Sequence, residues 1–363
     1  MIYLPVDELR RFIEITFKKL DVSEEDAEIC ADILITSDLR GIESHGIGRL
    51  RMYVDRIKSG QIEKKSDFEI IKESPTTAVI DGNHGIGMVI GYHSMSLAIE
   101  KAKRYGMGAI AVRNSSHFGI DGFYPFMATK HGMIGMSCTN ARPSVTPTFS
   151  TQPKLGTNPI AFGAPTDEDF PFLFDAATSI IQRGKIEVLN REEKLAYEGW
   201  VIDSEGKPMT DPQSILDGLT QDQAALLPLG GDTEALGSHK GYGLSTIVEI
   251  LSSSLQSGAF LAALSGLNPD GSGARFKVGH FFMAISIESF LPLEDFKKNI
   301  GSLLKELRAS RKTPGQLRIY TAGEKEYLNE IEVRKSGVPI NENLRKDILY
   351  VKQLLGITDL GLE

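Results

Sequence analysis

Two short apolar runs separated by a long helical stretch constrain the fold more than any other feature of this chain. The runs at 77–81 (TAVID) and 107–113 (MGAIAVR) have the length and apolar content of strands, and residues 88–104 carry apolar side chains at helical spacing. A strand, a helix and a second strand in this order form the repeating unit of α/β proteins. The pattern therefore predicts an α/β fold.

Other segments extend this reading along the chain. Further short apolar runs that end at polar or glycine-rich turns are predicted strands, at 133–138, 159–162, 172–174 and 281–287. Helical periodicity marks the segments 9–20, 47–57, 245–257, 293–310 and 344–355. Ser23 and Asp26 resemble a capping box that opens a second N-terminal helix. Together these patterns predict a mixed β-sheet covered by helices, with both chain ends helical.

Two segments lack a clear period. Residues 190–237 and 258–277 are rich in Gly, Asp, Ser and Pro, and we expect long surface loops there.

A chain of 363 residues also exceeds the size at which one hydrophobic core stops growing, so two or three domains are expected.

Charge and cysteine content narrow the function classes. Forty basic and 48 acidic residues give a formal charge of −8, which disfavours nucleic acid as a partner. Cys30 and Cys138 lie far apart without a C-x-x-C spacing and are predicted to be core residues in a reducing compartment. The N-terminus lacks a signal-peptide pattern and no run of eighteen apolar residues occurs, so a cytoplasmic protein without a membrane span is expected.

The first candidate site is the segment 44–49, SHGIGR, just before a predicted helix. His45 and Arg49 at a helix N-terminus are suited to a substrate carboxylate, because the planar guanidinium binds both carboxylate oxygens. The alternative is that Arg49 forms a surface ion pair and His45 only caps the helix.

The second candidate is the segment 115–119, SSHFG, on the loop that leaves the predicted strand at 107–113. A histidine at this place can give and take a proton near neutral pH, as the oxidation of an alcohol requires. The alternative is a structural histidine.

Two further candidates suit a cofactor. Residues 175–179, DAATS, close a predicted strand, and their small side chains allow a flat ring to approach the backbone, while the cations at 183–185 suit phosphate. Residues 237–243, GSHKGYG, form a predicted glycine-rich turn with a lysine for phosphate or ribose. The alternatives are a strand end followed by a solvated basic turn, and an ordinary glycine-rich loop.

Several motifs are absent. No G-x-G-x-x-G follows a strand with an acidic residue about twenty positions later, so the Rossmann fingerprint is missing, and the near match at 85–91 is predicted to be a turn and helix start. Walker A, H-E-x-x-H and G-x-S-x-G sequences do not occur, and the seven histidines are scattered. No metal site is predicted.

Six stretches in order carry a family resemblance. The segments 38–46, 113–119, 155–161, 175–179, 239–244 and 279–282 resemble type-2 malate/L-lactate dehydrogenases, which include L-sulfolactate dehydrogenase, ureidoglycolate dehydrogenase and 2,3-diketo-L-gulonate reductase. The resemblance covers nearly the whole chain. It implies a non-Rossmann nicotinamide-binding fold, a homodimer, and an active site between the mixed sheet and a helical domain built from the N- and C-terminal segments.

The resemblance also implies boundaries and roles. We expect a helical substrate-side part at 1–75, a nicotinamide-binding sheet domain at 76–290, and C-terminal helices at 291–363 that pack with the N-terminal part. Ser44, His45 and Arg49 would form the substrate end, with His117 as the proton-transfer residue and His45 as the alternative. Cofactor contacts would come from Asn140, Asp175, Ala176, Ala177, Thr178, Ser179, Lys240, Gly241, His280, Gly323 and Glu324.

The implied function is hydride transfer between NAD or NADP and a small 2-hydroxy acid or its 2-keto acid, with malate and oxaloacetate first. Lactate, sulfolactate, ureidoglycolate, diketogulonate and cyclic imino acids are alternatives, as is a non-catalytic nicotinamide-binding protein. Three departures from the family pattern concern cofactor fit: residues 148–151 replace a common glycine pair, Ala176 a common Met, and Ala322 a usual Pro.

Overall fold

A seven-stranded mixed sheet forms the centre of the chain in a computed structural model, which describes residues 2–358. The strands are β1 (Ile2–Leu4), β2 (Glu69–Glu73), β3 (Thr77–Asp81), β4 (Met107–Ser115), β5 (Met133–Thr139), β6 (Ile160–Ala164), β7 (Phe172–Ala176), β8 (Val201–Asp203), β9 (Ala224–Leu226), β10 (Val278–Ser286) and β11 (Val338–Ile340). The helices are α1 (Val6–Lys19), α2 (Glu24–Leu39), α3 (Leu50–Lys58), α4 (Gly87–Tyr105), α5 (Phe123–Thr129), α6 (Arg183–Arg191), α7 (Pro212–Thr220), α8 (Ser238–Ser253), α9 (Leu293–Ala309), α10 (Glu324–Ser336) and α11 (Glu342–Leu355).

The central sheet has the strand order β2-β3-β4-β10-β5-β6-β7. Strands β3 and β4 are parallel, because α4 carries the chain back across the sheet, and the other neighbours are antiparallel. The predicted strand, helix and strand are therefore confirmed, as is the α/β class with a mixed sheet covered by helices.

The two chain ends come together, as the fold prediction required. Strand β1 pairs with β11, the Arg51 guanidinium on α3 lies 2.7 Å from the Asp347 carboxylate on α11, and the Asn329 amide on α10 donates to the Leu39 carbonyl at 2.9 Å. The Ser23 hydroxyl accepts from the Asp26 N–H and caps α2, which confirms the predicted helix start. Helix α9 differs, since its Lys305 and Arg308 pair with the carboxylates of the turn at 167–168, and Arg308 also pairs with Glu324 at the start of α10.

The segment 190–237 is not a surface loop, and that prediction is wrong. It contains α7, β8 and β9, and apolar residues of these elements pack with Val145 and Ile186 in a second hydrophobic cluster. The strands have only three residues each, too short to show an alternating pattern. The segment 258–277 has no helix or strand beyond a short 3₁₀ turn at Leu261–Leu264, which agrees with the prediction.

Two predicted turns are helix starts. Helix α8 begins at Ser238, so the glycine-rich segment lies within its first turns, and α6 begins at Arg183. Gly241 is required inside α8 because a Cβ there would lie 2.2 Å from the Leu229 carbonyl oxygen. Helix α3 begins at Leu50, three residues later than its apolar stripe suggested.

The cysteines and the helix lengths bear on the compartment expected from the sequence. Cys30 and Cys138 are both buried and unbridged, as predicted. Among residues 2–358, no helix has the length and apolar character needed to cross a membrane.

Candidate active site

The loop before α3 is held in place by a buried carboxyl group. Asp38, in the last turn of α2, accepts a hydrogen bond from the Ile47 N–H at 2.7 Å. Gly46 lies against this carboxyl group, and a Cβ there would come within 1.9 Å of Asp38 Oδ1. Burial raises the pKa of Asp38 to about 8. The Asp38 carboxyl group therefore holds the loop at 44–49 by one hydrogen bond and by close packing against Gly46.

Ser44, His45 and Arg49 come together at this loop. Ser44 Oγ lies 2.9 Å from His45 Nδ1, and Arg49 Nε donates to the Ser44 carbonyl at 2.5 Å. Among residues 2–358, Arg49 has no carboxylate within ion-pair distance, so the alternative of a surface ion pair is wrong. Gly184, at the start of α6, closes the other side, since a Cβ there would lie 3.3 Å from Arg49 Nη2.

His117 lies just beyond the end of β4. Its neighbour Ser116 donates to the Gly85 carbonyl and accepts from the Gly87 N–H, both at 2.9 Å, which fixes the loop to the start of α4. The ring of His117 stacks on that of His45, with centroids 5.4 Å apart and an interplanar angle of 22°. The structure thus brings the two candidate histidines into one site.

Both histidines are held neutral. Burial, and then the positive charge of Arg49, lower the pKa of His45 to about 4. Burial together with His45, Arg49 and Arg56 lowers the pKa of His117 well below its usual range. Each ring therefore has a nitrogen lone pair available near pH 7, which suits a group that accepts a proton.

Two residues on α3, Tyr53 and Arg56, belong to the site but were not predicted from the sequence. Tyr53 places its hydroxyl 2.6 Å from His117 Nδ1, and Arg56 lies near Tyr53 and Arg49 with its guanidinium 4.3 Å from the centroid of the Phe276 ring. Arg49, Tyr53 and Arg56 are spaced by four and three residues, which places them on one helix face. That spacing was the available signal.

Further arginines lie near Arg49. Arg142, which follows β5, lies within electrostatic range of Arg49, Arg56 and Arg183. Loss of water, Arg142 and Arg49 together lower the pKa of Arg56 to about 10. Within the described part of the chain, Arg49, Arg56 and Arg142 have no carboxylate partner, whereas Arg183 pairs with Glu187 at 3.2 Å. The site therefore carries an excess of positive charge.

The predicted cofactor segment at 175–179 lies next to this site. Asp175 Oδ2 accepts from the Gly122 N–H at 2.7 Å, close after the His117 loop. The Leu229 N–H donates to the Thr178 carbonyl at 3.0 Å, and Gly241 packs on Leu229. The start of α8, with an exposed Lys240, is therefore beside this segment. Gly323 packs on the start of β7, two residues before Asp175.

Other predicted cofactor residues have side chains that are occupied by the protein. Asn140 accepts from the Gly279 N–H at 2.9 Å and donates to the Ala259 carbonyl at 3.2 Å. His280 is fully buried, with ring nitrogens 2.8 Å from the hydroxyls of Thr139 and Ser115. The hydroxyls of Thr178 and Ser179 donate to the carbonyls of Asn158 and Ile181, and the Glu324 carboxylate pairs with Arg308 and Arg318. These contacts favour structural roles, and cofactor binding by these side chains stays a prediction.

Asp121 is a buried acidic residue that lies close to Asp175. Asp121 Oδ1 accepts from the Ser137 hydroxyl at 2.5 Å, whereas its Oδ2 is buried without a hydrogen-bond partner among the described residues. Burial and the charge of Asp175 raise the pKa of Asp121 well above its ordinary value. The ionised carboxyl group therefore destabilises the folded state.

Replacing Asp121 by Asn is expected to increase the free energy of unfolding by about 1–2 kcal/mol at pH 8. Because the folded state binds this proton more tightly than the unfolded state, the gain is complete above the raised pKa and disappears as the pH falls towards 3.8. Urea unfolding at pH 8 and pH 4.5 measures it. The control is Asp21→Asn, since the exposed Asp21 pairs with Lys64 and has a lowered pKa. An equal gain in both variants would contradict this reading.

Comparisons with known proteins agree with the geometry. A family model described as malate/L-lactate dehydrogenase matches residues 4–349. A malate dehydrogenase of Pyrococcus horikoshii is 46% identical over 99% of this chain and 97% of its own, and an L-sulfolactate dehydrogenase of Methanocaldococcus jannaschii is 40% identical over 98% of each. The crystal structure of malate dehydrogenase from Entamoeba histolytica superposes with a TM-score of 0.95 at 44% identity, covering 99% of both chains. The chain is a hydroxy-acid dehydrogenase that belongs to the malate/L-lactate dehydrogenase family.

Proposed function

We propose that this chain is an NAD- or NADP-dependent malate dehydrogenase that interconverts malate and oxaloacetate. One observation carries the proposal: two stacked neutral histidines lie beside Arg49, and the nearby Arg56 and Arg142 form no ion pair among residues 2–358, although Glu187 and Asp222 act on Arg142 from a longer distance. A dicarboxylic 2-hydroxy acid supplies the negative charges that such a site lacks.

The arginines divide the substrate between them. Arg49 acts electrostatically on both histidines and binds the carboxylate next to the reacting carbon, while Arg56 and Arg142 bind the distal carboxylate. Lactate has no distal anion and leaves these two arginines unpaired, which disfavours it. Sulfolactate carries a sulfonate at the same place and is the second candidate, since guanidinium binds sulfonate by the same charge-assisted hydrogen bonds.

The proton is moved by His117. Its Nδ1 faces the Tyr53 hydroxyl at 2.6 Å and the Gly119 N–H at 3.3 Å, so Nε2 is the nitrogen left for the substrate hydroxyl. During oxidation Nε2 accepts this proton, and during reduction it returns it. His45 contacts the reacting oxygen and is oriented by the Ser44 hydroxyl. The nicotinamide, when bound, accepts or supplies the hydride at C2 of the substrate.

The cofactor fits the segment that follows β7. Ala176 and Ala177 are half-buried and have no side chain beyond a methyl group, which leaves the backbone open to a flat ring. Lys240 is exposed at the start of α8 and provides a cation for phosphate. The assay therefore uses both NADH and NADPH.

We propose further that the enzyme is a cytoplasmic homodimer. The boundaries expected from the sequence are a helical part at 1–75 and 291–363, of which residues 1 and 359–363 lie outside the described part of the chain, and a sheet domain at 76–290. We assign β2 and α9 to the sheet domain instead, because β2 pairs with β3 and α9 forms ion pairs with Asp167 and Glu168. Helix α8 supports the dimer, because Leu244, Ile247 and Ile250 form an apolar ridge that is 43–50% exposed. The buried, unbridged Cys30 and Cys138 are consistent with a reducing compartment.

Turnover of 2-keto acids tests the function. Oxidation of NADH and of NADPH is followed with oxaloacetate, pyruvate, sulfopyruvate, oxalurate, diketogulonate and a cyclic imino acid. We expect the highest kcat/KM with oxaloacetate, sulfopyruvate second, and pyruvate lower by at least about a hundredfold, since two ion pairs are lost. Preference for pyruvate or for the cyclic imino acid would overturn the proposal, and cofactor binding without any turnover would favour a non-catalytic protein.

A further inference from the structure

Tyr53 is buried against the proton-transfer histidine in a way that the proposed reaction does not yet use. Its side chain is fully buried on α3, and its hydroxyl lies 2.6 Å from His117 Nδ1 and 3.3 Å from the His117 carbonyl oxygen. The phenol hydroxyl can donate only one hydrogen, and it can accept another. Its orientation therefore decides which nitrogen of His117 carries the proton.

We propose that Tyr53 is a positioning residue that keeps the proton of neutral His117 on Nδ1. In this arrangement Nδ1–H donates to the Tyr53 hydroxyl, and that hydroxyl donates to the His117 carbonyl. Nε2 then keeps its lone pair for the substrate hydroxyl. The inference rests on the proposed function, because it assigns proton transfer to Nε2.

A competing donor shows why the tyrosine is needed. The Gly119 N–H, which can only donate, lies 3.3 Å from the same Nδ1 and also reaches the Tyr53 hydroxyl oxygen, so in the proposed arrangement it donates to that oxygen. Without the Tyr53 hydroxyl, this N–H is the remaining partner of Nδ1 and places the proton on Nε2. That tautomer has no lone pair facing the substrate and cannot act as the base.

A neutral orienting group also suits the charges around His117. Among the described residues, the groups that act on its charge are His45, Arg49, Arg56 and His280, with Tyr53 in contact, and none of them is a carboxylate. Burial raises the pKa of Tyr53 far above its usual range, which keeps it a neutral phenol. A carboxylate in its place would favour the imidazolium. The phenol fixes the tautomer and leaves His117 uncharged.

Tyr53→Phe tests the proposal, and Tyr124→Phe is the matched control. Tyr124 is also fully buried, and its hydroxyl donates to the Phe118 carbonyl at 2.5 Å, so each variant removes one buried hydroxyl bound to residues 117–118. The tautomer of His117 is measured by NMR on protein labelled with ¹⁵N-histidine, without substrate, at a pH where the ring is neutral. The rate of malate oxidation and its pH profile are measured on the same samples.

We expect Tyr53→Phe to move the proton from Nδ1 to Nε2 and to lower kcat about 10- to 100-fold with KM changed by less than about twofold. Tyr124→Phe should keep the wild-type tautomer and most of kcat, although both variants lose some thermal stability. A wild-type Nε2–H tautomer, an Nδ1–H tautomer that persists in Tyr53→Phe, or equal losses of kcat in both variants would overturn the proposal. The NMR result does not depend on the substrate, so an enzyme inactive on malate would contradict the proposed function and leave the tautomer test valid.

Discussion

Replacing His117 by Asn is expected to lower kcat for malate oxidation about a thousandfold, because the proposed mechanism transfers the substrate proton to His117 Nε2 and uses His45 only to hold the reacting oxygen. The variant should fold and bind NADH or NADPH as the wild type does, since His117 contacts substrate and not the cofactor segment. Steady-state kinetics measures the first effect, and quenching of nicotinamide fluorescence measures the second.

His45→Asn distinguishes the two histidines. His45 is stacked on His117 but is bonded to Ser44, so its loss should raise KM and lower kcat only about tenfold. If His45→Asn abolished turnover while His117→Asn kept it, the roles of the two histidines would be exchanged.

The pH profile gives a second check on His117. Its lowered pKa keeps the ring neutral as the pH falls from 8 to 6, so protonation of His117 should not lower kcat/KM for oxidation across that range.

The central fold was predictable because its pattern is local. The sequence pattern showed strand, helix and strand in 37 consecutive residues, 77–113, and the structure pairs β3 with β4. The small cluster around β8 and β9 was not predictable, since its core joins Val145 to Leu226 across a parallel bridge and neither strand exceeds three residues. Packing between distant short segments leaves no periodic signal.

The site divides in the same way. His45, Arg49 and His117 were found because each lies in a compact motif, whereas Tyr53 acts on a histidine 64 positions away. Arg142 lies in no motif, and its place in the site is apparent only because folding brings it near Arg56. Conversely, His280 lies in a motif, but it is a residue of β10 and its ring nitrogens are bonded to Thr139 on β5 and Ser115 on β4. A sequence cannot reveal these contacts between strands.

Replacing Gly87 by Ala is expected to lower the free energy of unfolding by about 3 kcal/mol and to abolish most of the activity. A Cβ at Gly87 would lie 2.1 Å from the Ser116 carbonyl oxygen and 2.7 Å from that of His117, and both are backbone atoms. The Gly87 N–H also donates to the Ser116 hydroxyl at 2.9 Å, so the start of α4 cannot retreat without breaking that bond. Urea unfolding and steady-state kinetics measure the two effects.

Gly48→Ala is the control for an added methyl group beside the same site, because the nearest atom to its Cβ is the Glu43 carbonyl oxygen at 3.5 Å. Its free energy of unfolding should change by less than about 0.5 kcal/mol. Equal effects of the two variants on stability would show that the contact at Gly87 is not as close as described. If Gly87→Ala instead keeps its stability and loses only kcat, the loop at 116–117 has moved to admit the methyl group. The position of His117, held by the contact between α4 and this loop, would then be the property that the glycine protects.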